Sequence, residues 1–472
     1  MKYGTGLSMK KLSEDERAAQ MVYDIFPEIK AVIGTNPAAG GMALKKLSQY
    51  APLQFPEEKM QQLDAVLREY GKTKGLTPKE QEKVKRYQAM EHGRTHTAGQ
   101  GIDARGRQDC FLPGQVWLDT KGERIQAHGG AIFYEKDSRS DAEGLPCAYT
   151  YYWYGENKEF TDGESDIWTW GIRAYRSGDL YNWEDMGLII RPVLTDPDSN
   201  LFPDMRVDRP HIVKCEATQK YVAWLKLSGP EACFMILQAD AFTGPYEIVR
   251  ENYRPLGSEV GDFDIVQDEK TQKAYLFMDA DHRRVVGLEM SEDYLSAEKE
   301  VSSQYENMVG ALCREGIALF ERNGRKYMLT SGMTGYVPNQ SDAAVSGEWT
   351  DAFRSVGDPH VGDASLASFN SQFTQVFRVP VKKDLYIALA DRWVPGYPVD
   401  ARKADLIRRC IAHREQPREN PVTEEELQEF AGIPALESVN TSVADYVWLP
   451  ITFEGEQPKI VWHDAWKLED YE

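Results

Sequence analysis

The chain has few cysteines, no long apolar run and no excess of positive charge, and each absence removes a class of function. Its six cysteines, Cys110, Cys147, Cys215, Cys233, Cys313 and Cys410, are scattered without CxxC pairs, which fits neither a cysteine-rich zinc site nor a dense disulfide framework. No stretch is apolar for long enough to cross a bilayer. The opening residues, MKYGTGLSMKKLSEDERAAQ, lack the hydrophobic core of a secretory signal. A cytoplasmic protein is the default expectation, although a chain trimmed of a leader would look the same. Acidic residues outnumber basic ones by 75 to 55, for a formal net charge of −20. Such a field repels nucleic acid and anionic membrane surfaces, so neither is an expected partner, and neutral or weakly charged ligands are favoured. No G-x-S-x-G, P-loop or H-E-x-x-H pattern occurs, which leaves serine-hydrolase, nucleotide and zincin chemistry without support. His92 and His96 stand close together, but no carboxylate lies in register to complete a metal site.

What the chain does have is apolar and aromatic bulk: 42% hydrophobic residues, 11% aromatic, with 11 Trp and 24 Tyr. Residues 9–93 read as helices. "SEDERAAQMVYDIF" opens with a Ser13/Glu16 cap pattern, "PEEKMQQLDAVLREYG" runs from Pro56 to Gly71, and "TPKEQEKVKRYQAMEHG" repeats the scheme from Thr77 and Pro78 to Gly93. "HGRTHTAGQGIDARGR" reads as a linker. From about residue 110 short runs rich in Val, Ile, Tyr, Trp and Phe recur between turn signals: "AIFYEK", "AYTYYWYGE", "KYVAWLKL", "FMILQAD", "KAYLFMDAD", "DLYIALADRW". Many alternate, as half-buried strands do. The organisation expected is therefore a helical extension over 1–105 and an all-β domain over 106–472, interrupted by a helical insert at about 400–432. Radially repeated four-stranded units would make a β-propeller; a sandwich pair is the alternative from pattern alone.

Acids recur at strand ends beside aromatics or Arg: Glu156 in "YYWYGE", Asp208 in "VDRP", Asp262 in "GSEVGDFDIVQD", Glu315 in "CREGIA" and Asp391 in "LADRW". In a propeller such positions converge on the axis. Carboxyl groups gathered there raise one another's proton affinity, and burial adds to the effect. An acid still protonated near neutral pH is what protonation of a glycosidic oxygen requires.

The ordered series "IQAHGGAIFY", "YYWYGE", "DRPHIVKC", "GSEVGDFDIVQDE", "EGIALFERNGRKYMLTSGMTGYVPN", "NSQFTQVFRVP", "LADRW" and "YVWLPITF" resembles glycoside hydrolase family 43, and within it the exo-β-1,3-galactanase-like branch. The resemblance spans roughly residues 110–466. It implies an all-β five-bladed propeller with an axial site and a carbohydrate substrate, and the function expected is an exo-acting, inverting hydrolase that releases galactose from β-1,3-galactan. An arabinosidase or xylosidase on the same scaffold, or a carbohydrate-binding propeller without catalysis, are the alternatives. Glu315 falls at the family's general acid and Asp262 at the acid that tunes it, although Val260-Gly261 replace the family's Ser-Arg and Asp264 is a rival. The family's general-base Asp has no counterpart in Ala127-His128-Gly129-Gly130. Gln372 of "NSQ" matches the branch residue that positions water, with Glu156 and His128 as candidates to supply basicity. Asp208 replaces the branch's sugar-contacting Glu, one methylene shorter. Tyr336 stands where the branch has Trp and is the preferred stacking platform, ahead of Trp153, Trp168, Trp170 and Trp393. Asn339 and Arg392 complete the expected substrate contacts, whereas Arg209 is expected to pair with an acid. No cofactor is implied. Some family propellers hold a central cation near a histidine, so calcium is the one ion to consider. Oligomeric state has no signature in the sequence.

Overall fold

The computed structural model describes residues 3–35, 40–92, 108–136, 149–229, 232–268, 270–306, 308–397, 399–433 and 439–472. The expected linker from 93 to 107 and Cys147 lie outside them, and the five described cysteines are free thiols. The chain divides into two compact units, Met1–Arg94 with Leu194–Asp198, and Thr95–Val193 with Ser199–Glu472.

The first unit is helical: α1 (Met9–Leu12), α2 (Glu16–Ile25), α3 (Ile29–Thr35), α4 (Leu44–Tyr50), α5 (Glu57–Thr73) and α6 (Pro78–His92). Apolar residues three or four apart turn one face of each main helix inward, so that Leu12, Val22, Phe26, Leu63 and Leu67 are fully buried in one core. Two sequence expectations need correction. The cap of α2 is Asp15 rather than Ser13, because the Asp15 carboxylate accepts from the amides of both Arg17 and Ala18, at 3.0 and 3.2 Å. Gly71 does not end α5, which continues to Thr73; Tyr3 packs where a side chain would stand, 3.1 Å from an ideal Cβ.

The second unit is built from antiparallel meanders. Blade 1 is β1 (His128–Lys136), β2 (Tyr149–Glu156), β3 (Ile172–Ser177) and β4 (Glu184–Ile190). Blade 2 is β5 (Val207–Lys214), β6 (Tyr221–Leu227), β7 (Cys233–Ala239) and β8 (Glu247–Tyr253). Blade 3 comprises β9 (Val260–Gln267), β10 (Ala274–Ala280), β11 (Arg284–Met290) and β12 (Ala297–Gln304). Blade 4 comprises β13 (Arg314–Arg322), β14 (Arg325–Gly332), β15 (Ser341–Ser346) and β16 (Arg354–Gly357). The last sheet gathers β17 (His360–Val361), β18 (Gln372–Arg378), β19 (Tyr386–Arg392), β20 (Asp445–Tyr446), β21 (Leu449–Glu454) and β22 (Gln457–Val461). The first strands touch in a closed cycle, β1 to β5 to β9 to β13 to β18 and back to β1. That closure makes a five-bladed propeller and rules out the sandwich.

The helical insert, α7 (Ala401–Glu415) and α8 (Glu424–Ala431), leaves after β19 and returns as β20, which pairs with β19 through Asp391 and Tyr446. Its exit and entry are thus neighbours, and the sheet is little disturbed. Between blades 1 and 5, Trp117, Trp153, Trp183 and Trp448 pack ring on ring, the Trp153 and Trp448 centroids 4.4 Å apart. Such pairs add about 0.5–1.5 kcal/mol each beyond the area they bury.

Candidate active site

Every inner strand is irregular just where it meets the axis. The register breaks between His128 and Ala131 in β1, Asp208 and His211 in β5, Glu315 and Ala318 in β13, and Phe373 and Gln375 in β18. In β9 the break holds Gly261 and Asp262 opposite Asp279 of β10. A bulge re-aims the side chain beside it, and these bulges turn Asp208, Asp262, Glu315 and Gln372 toward the hub rather than into the blades. Gly129, Arg209 and Gly316 follow His128, Asp208 and Glu315 in their strands and share a left-handed φ of 48–59°. Gly316 needs to be glycine twice over: besides its φ, a Cβ there would lie 2.8 Å from Ser331 Oγ and 3.0 Å from Gln372 Cγ.

The bulged ends enclose a cavity of about 180 Å³. Its charged wall consists of Glu156, Asp208, Arg209, Lys226, Asp262 and Glu315; Trp168, Tyr336 and Trp393 form the aromatic wall, and Gln372 and Ser228 complete it. Glu315 Oε1 accepts from Gln372 Nε2 at 3.0 Å. Burial, and next the charge on Asp262, raise Glu315 to about 8 against the pull of Lys226 and Arg209. Burial alone would raise Asp262 as well, but Arg209 at 2.9 Å and Lys226 at 2.6 Å outweigh it and hold this carboxylate well below the ordinary range. Asp262 Oδ2 also accepts from the Gly316 amide at 3.0 Å, which fixes it beside the Glu315 strand. Two adjacent acids are thus driven apart, one ionised and one protonated, which is the usual signature of a proton donor and its tuning neighbour.

Glu156 ends β2 in blade 1. Its Oε1 accepts from the Arg209 amide at 2.8 Å, and its Oε2 lies 2.8 Å from the fully buried Lys158 ammonium. Burial lifts Glu156 to about 7, Lys158 opposing and Asp208 adding to the rise. Asp208 is held by Trp168 Nε1 at 2.6 Å and Ser228 Oγ at 2.5 Å. Arg209 ties the hub together, donating to Gln372 Oε1 at 2.5 Å and to the Phe373 carbonyl at 2.7 Å while pairing with Asp262. The expectation that Arg209 serves an acid agrees with this geometry.

Several expected site residues sit elsewhere. His128 is wholly buried; its Nδ1 meets Asp391 at 3.2 Å and its ring stacks on Tyr446. It and Asp391, which also accepts the Gly129 amide at 2.6 Å, close blade 5 onto blade 1 rather than touch the cavity. Arg392 points away too, donating to the carbonyls of Phe369, Asn370 and Gly114. The Asn339 amide is fully engaged with Gly332 and Thr334 at 2.6 Å, which shapes the loop that presents Tyr336. Trp153 and Trp170 are core rings, whereas Tyr336 stands between Trp168 and Trp393 at the cavity.

Asp264 is no rival to Asp262. It faces away from the cavity, and its carboxyl accepts the Leu319 and Ile265 amides, both at 2.7 Å, stapling blade 3 to blade 4. Asp264→Ala should cost roughly 2–5 kcal/mol of stability by stranding two buried donors, with kcat of the folded protein unchanged. Urea unfolding and steady-state rates would check both halves.

Gln372 is brought into direct contact with Glu315. Arg209 and Trp393 are donors only, so they identify which end of the amide is oxygen. The nitrogen end donates to Glu315 and to Ser331. A water-side partner in an inverting hydrolase stands roughly 6.5–9.5 Å from the acid, and a 3.0 Å hydrogen bond is far inside that. The sequence reading also passed over Lys158 and Lys226. Lys226 carried the same signal as Glu315, a lone charge closing an apolar strand run, "YVAWLKL".

Five blades around a hub of paired and unpaired carboxyl groups define a propeller with an acid–base site on its axis. Residues 145–362 match the family model of glycosyl hydrolases family 43. Solved structures with this fold include a family 43 β-1,3-galactosidase, at TM-score 0.59 and 24% identity, covering 77% of this chain and 65% of that one. Two others are exo-β-1,3-galactanases. The enzyme from Phanerochaete chrysosporium, bound to β-1,3-galactotriose, has TM-score 0.58 and 21% identity over 76% of this chain and 68% of that one. The enzyme from Clostridium thermocellum has TM-score 0.55 and 22% identity over 76% of this chain and 66% of that one. The chain therefore spans about two thirds of the length of these proteins. No curated protein matches the sequence.

Proposed function

We propose that the chain is an exo-acting galactosidase that removes terminal β-1,3-linked galactose with inversion. The observation that carries this reading is the Glu315–Asp262 pair, a protonated acid beside an ionised one in a small cavity at the hub. A cavity of about 180 Å³ walled by Tyr336, Trp168 and Trp393 suits the end of a chain rather than its middle. Glu315 protonates the departing glycosidic oxygen. Asp262 keeps the proton on Glu315 until that moment and, through the Gly316 amide, keeps the strand in place.

The attacking water needs a group across the sugar. Blades 4 and 5 are neighbours, which is why Glu315 and Gln372 touch; blades 4 and 1 face each other over the hub. Glu156 of blade 1 lines the same cavity, and its proton affinity near neutrality suits a group that takes up and releases a proton in each cycle. In this reading Glu156 is the general base and Gln372 positions Glu315. Asp208, fixed by Trp168 and Ser228, forms the cavity wall beside the sugar hydroxyls.

Incubation with β-1,3-galactobiose, followed by proton NMR, tests the function: α-galactose should appear first and mutarotate to the β form. β-Galactose first, or release of arabinose or xylose alone from a glycoside panel, would refute it. The base works above about 7 and the acid below about 8, so kcat/KM should trace a narrow bell between those values, its limbs belonging to the interacting set rather than to isolated groups.

A further inference from the structure

Behind Glu315 and Asp262 lies a second acid that the mechanism above does not use. Asp279 is buried opposite the β9 bulge, and an ideal Cβ on Gly261 would come within 1.9 Å of its Oδ2, so the carboxyl occupies the space a side chain at 261 would need. Oδ2 meets His282 Nδ1, while Oδ1 is buried and meets no hydrogen-bond donor among the described residues. Burying a carboxylate oxygen without a donor is costly, and nothing in blade packing requires an acid there. The imidazole of His282 is 56% exposed and so connects the pair to solvent. The turn that carries it is anchored to the strand of the general acid, because Cys313 Sγ, two residues before Glu315, donates to the His282 carbonyl at 2.9 Å.

We propose that Asp279 and His282 form a positioning pair that acts through Asp262 and Glu315, with the Asp279 charge helping Glu315 to hold its proton and His282 offsetting that charge at low pH. This rests on the reading of Glu315 as the acid. The charged and titratable groups facing the pair are Asp262 of β9, Lys226 of β6, Glu315 of β13 and the Cys313 thiol. Burial raises the proton affinity of Asp279, and the hydrogen bond to Asp279 raises that of His282. Below the His282 titration the pair is neutral overall; above it the pair carries one negative charge, opposite the Gly261–Asp262 bulge and felt at Glu315. A negative neighbour favours the protonated form of an acid, so the general acid gains proton affinity as the solution turns alkaline. A glycine at 261 is what admits this arrangement.

The test reads the proton affinity of Glu315 in the full chain in two ways. One is the carboxyl carbon NMR titration, assigned by its loss in Glu315→Gln; the other is the basic limb of kcat/KM on β-1,3-galactobiose. Asp279→Asn should move both down by about one pH unit, a tenfold loss of rate above the limb, which is the scale of one nearby charge at protein dielectric. In this reading His282, whose proton affinity Asp279 raises, stays protonated through the Glu315 titration, so His282→Gln removes the offset there and should move both up. Opposite displacements sustain the proposal, and any other pattern overturns it. Should Asp279→Asn not fold, the half-exposed His282→Gln decides alone: a titration that stays put or falls overturns the pair. Absence of turnover by the wild-type chain would refute the galactosidase reading, and the carbon titration would still judge the pair.

Discussion

Glu315→Gln is expected to lower kcat on β-1,3-galactobiose by about 10²–10⁴-fold, the usual contribution of a general acid and roughly 3–5 kcal/mol of barrier. Glutamine keeps the side-chain volume, so the contacts with Ser331 and Gln372 survive in outline and the fold should be unaffected. The loss should depend on the leaving group. An aryl galactoside that departs without protonation should lose far less than the disaccharide, because only the proton has been withdrawn. Equal losses on the two substrates would point to a damaged pocket, and an undiminished rate on the disaccharide would remove Glu315 from the mechanism. The basic limb near 8 should also vanish, since Glu315 sets it.

Glu156→Gln is expected to be about as damaging, at 10²–10⁴-fold in kcat, with the opposite substrate signature: disaccharide and aryl galactoside should suffer alike, because water attack is common to both. Azide should rescue the variant as an external nucleophile and give the α-galactosyl azide. Gln372→Ala is the control. If Gln372 only positions Glu315, its loss should resemble a mild form of Glu315→Gln, sparing the aryl substrate and gaining nothing from azide. Azide rescue of Gln372→Ala and not of Glu156→Gln would exchange the two assignments. A further consequence concerns Lys158, whose ammonium lies 2.8 Å from Glu156 with its side chain fully buried. A cation so placed stabilises the ionised base, and it keeps Glu156 from rising further than about 7.

Much of this was legible in the chain, and the legible parts share a cause. Helices and strands follow from local periodicity, so the helical segment, the strand run and the late insert could be read from alternation and caps. The cap error is local, since a single Asp15 oxygen accepts from two amides, whereas at Gly71 the neighbour is distant in sequence: Tyr3 packs against its vacant side. Glu315 announced itself as a charge at the mouth of an apolar strand. Lys226 stands in the same way in its strand, and its contact with Asp262 in the folded chain is what marks it as a site residue. Arg392 stands next to Trp393 in sequence yet its guanidinium is spent on the carbonyls of Phe369, Asn370 and Gly114, and Asn339 is spent on its own loop, partnerships that no short stretch of sequence reveals.

By itself the sequence determined which segments are helix and which are strand, and which strand ends carry carboxyl groups, for both depend on residues a few positions apart. Only the tertiary structure decided which of those carboxyls share a hub, that Asp264 and Asp391 are staples, that Gln372 touches Glu315, and that Asp279 lies behind Gly261. Each of these depends on contacts between residues tens to hundreds of positions apart, brought together when the ring of inner strands closes. Proton affinity follows the same rule, because it is set by burial and by the distance to other charges, and neither is written in any short stretch of chain.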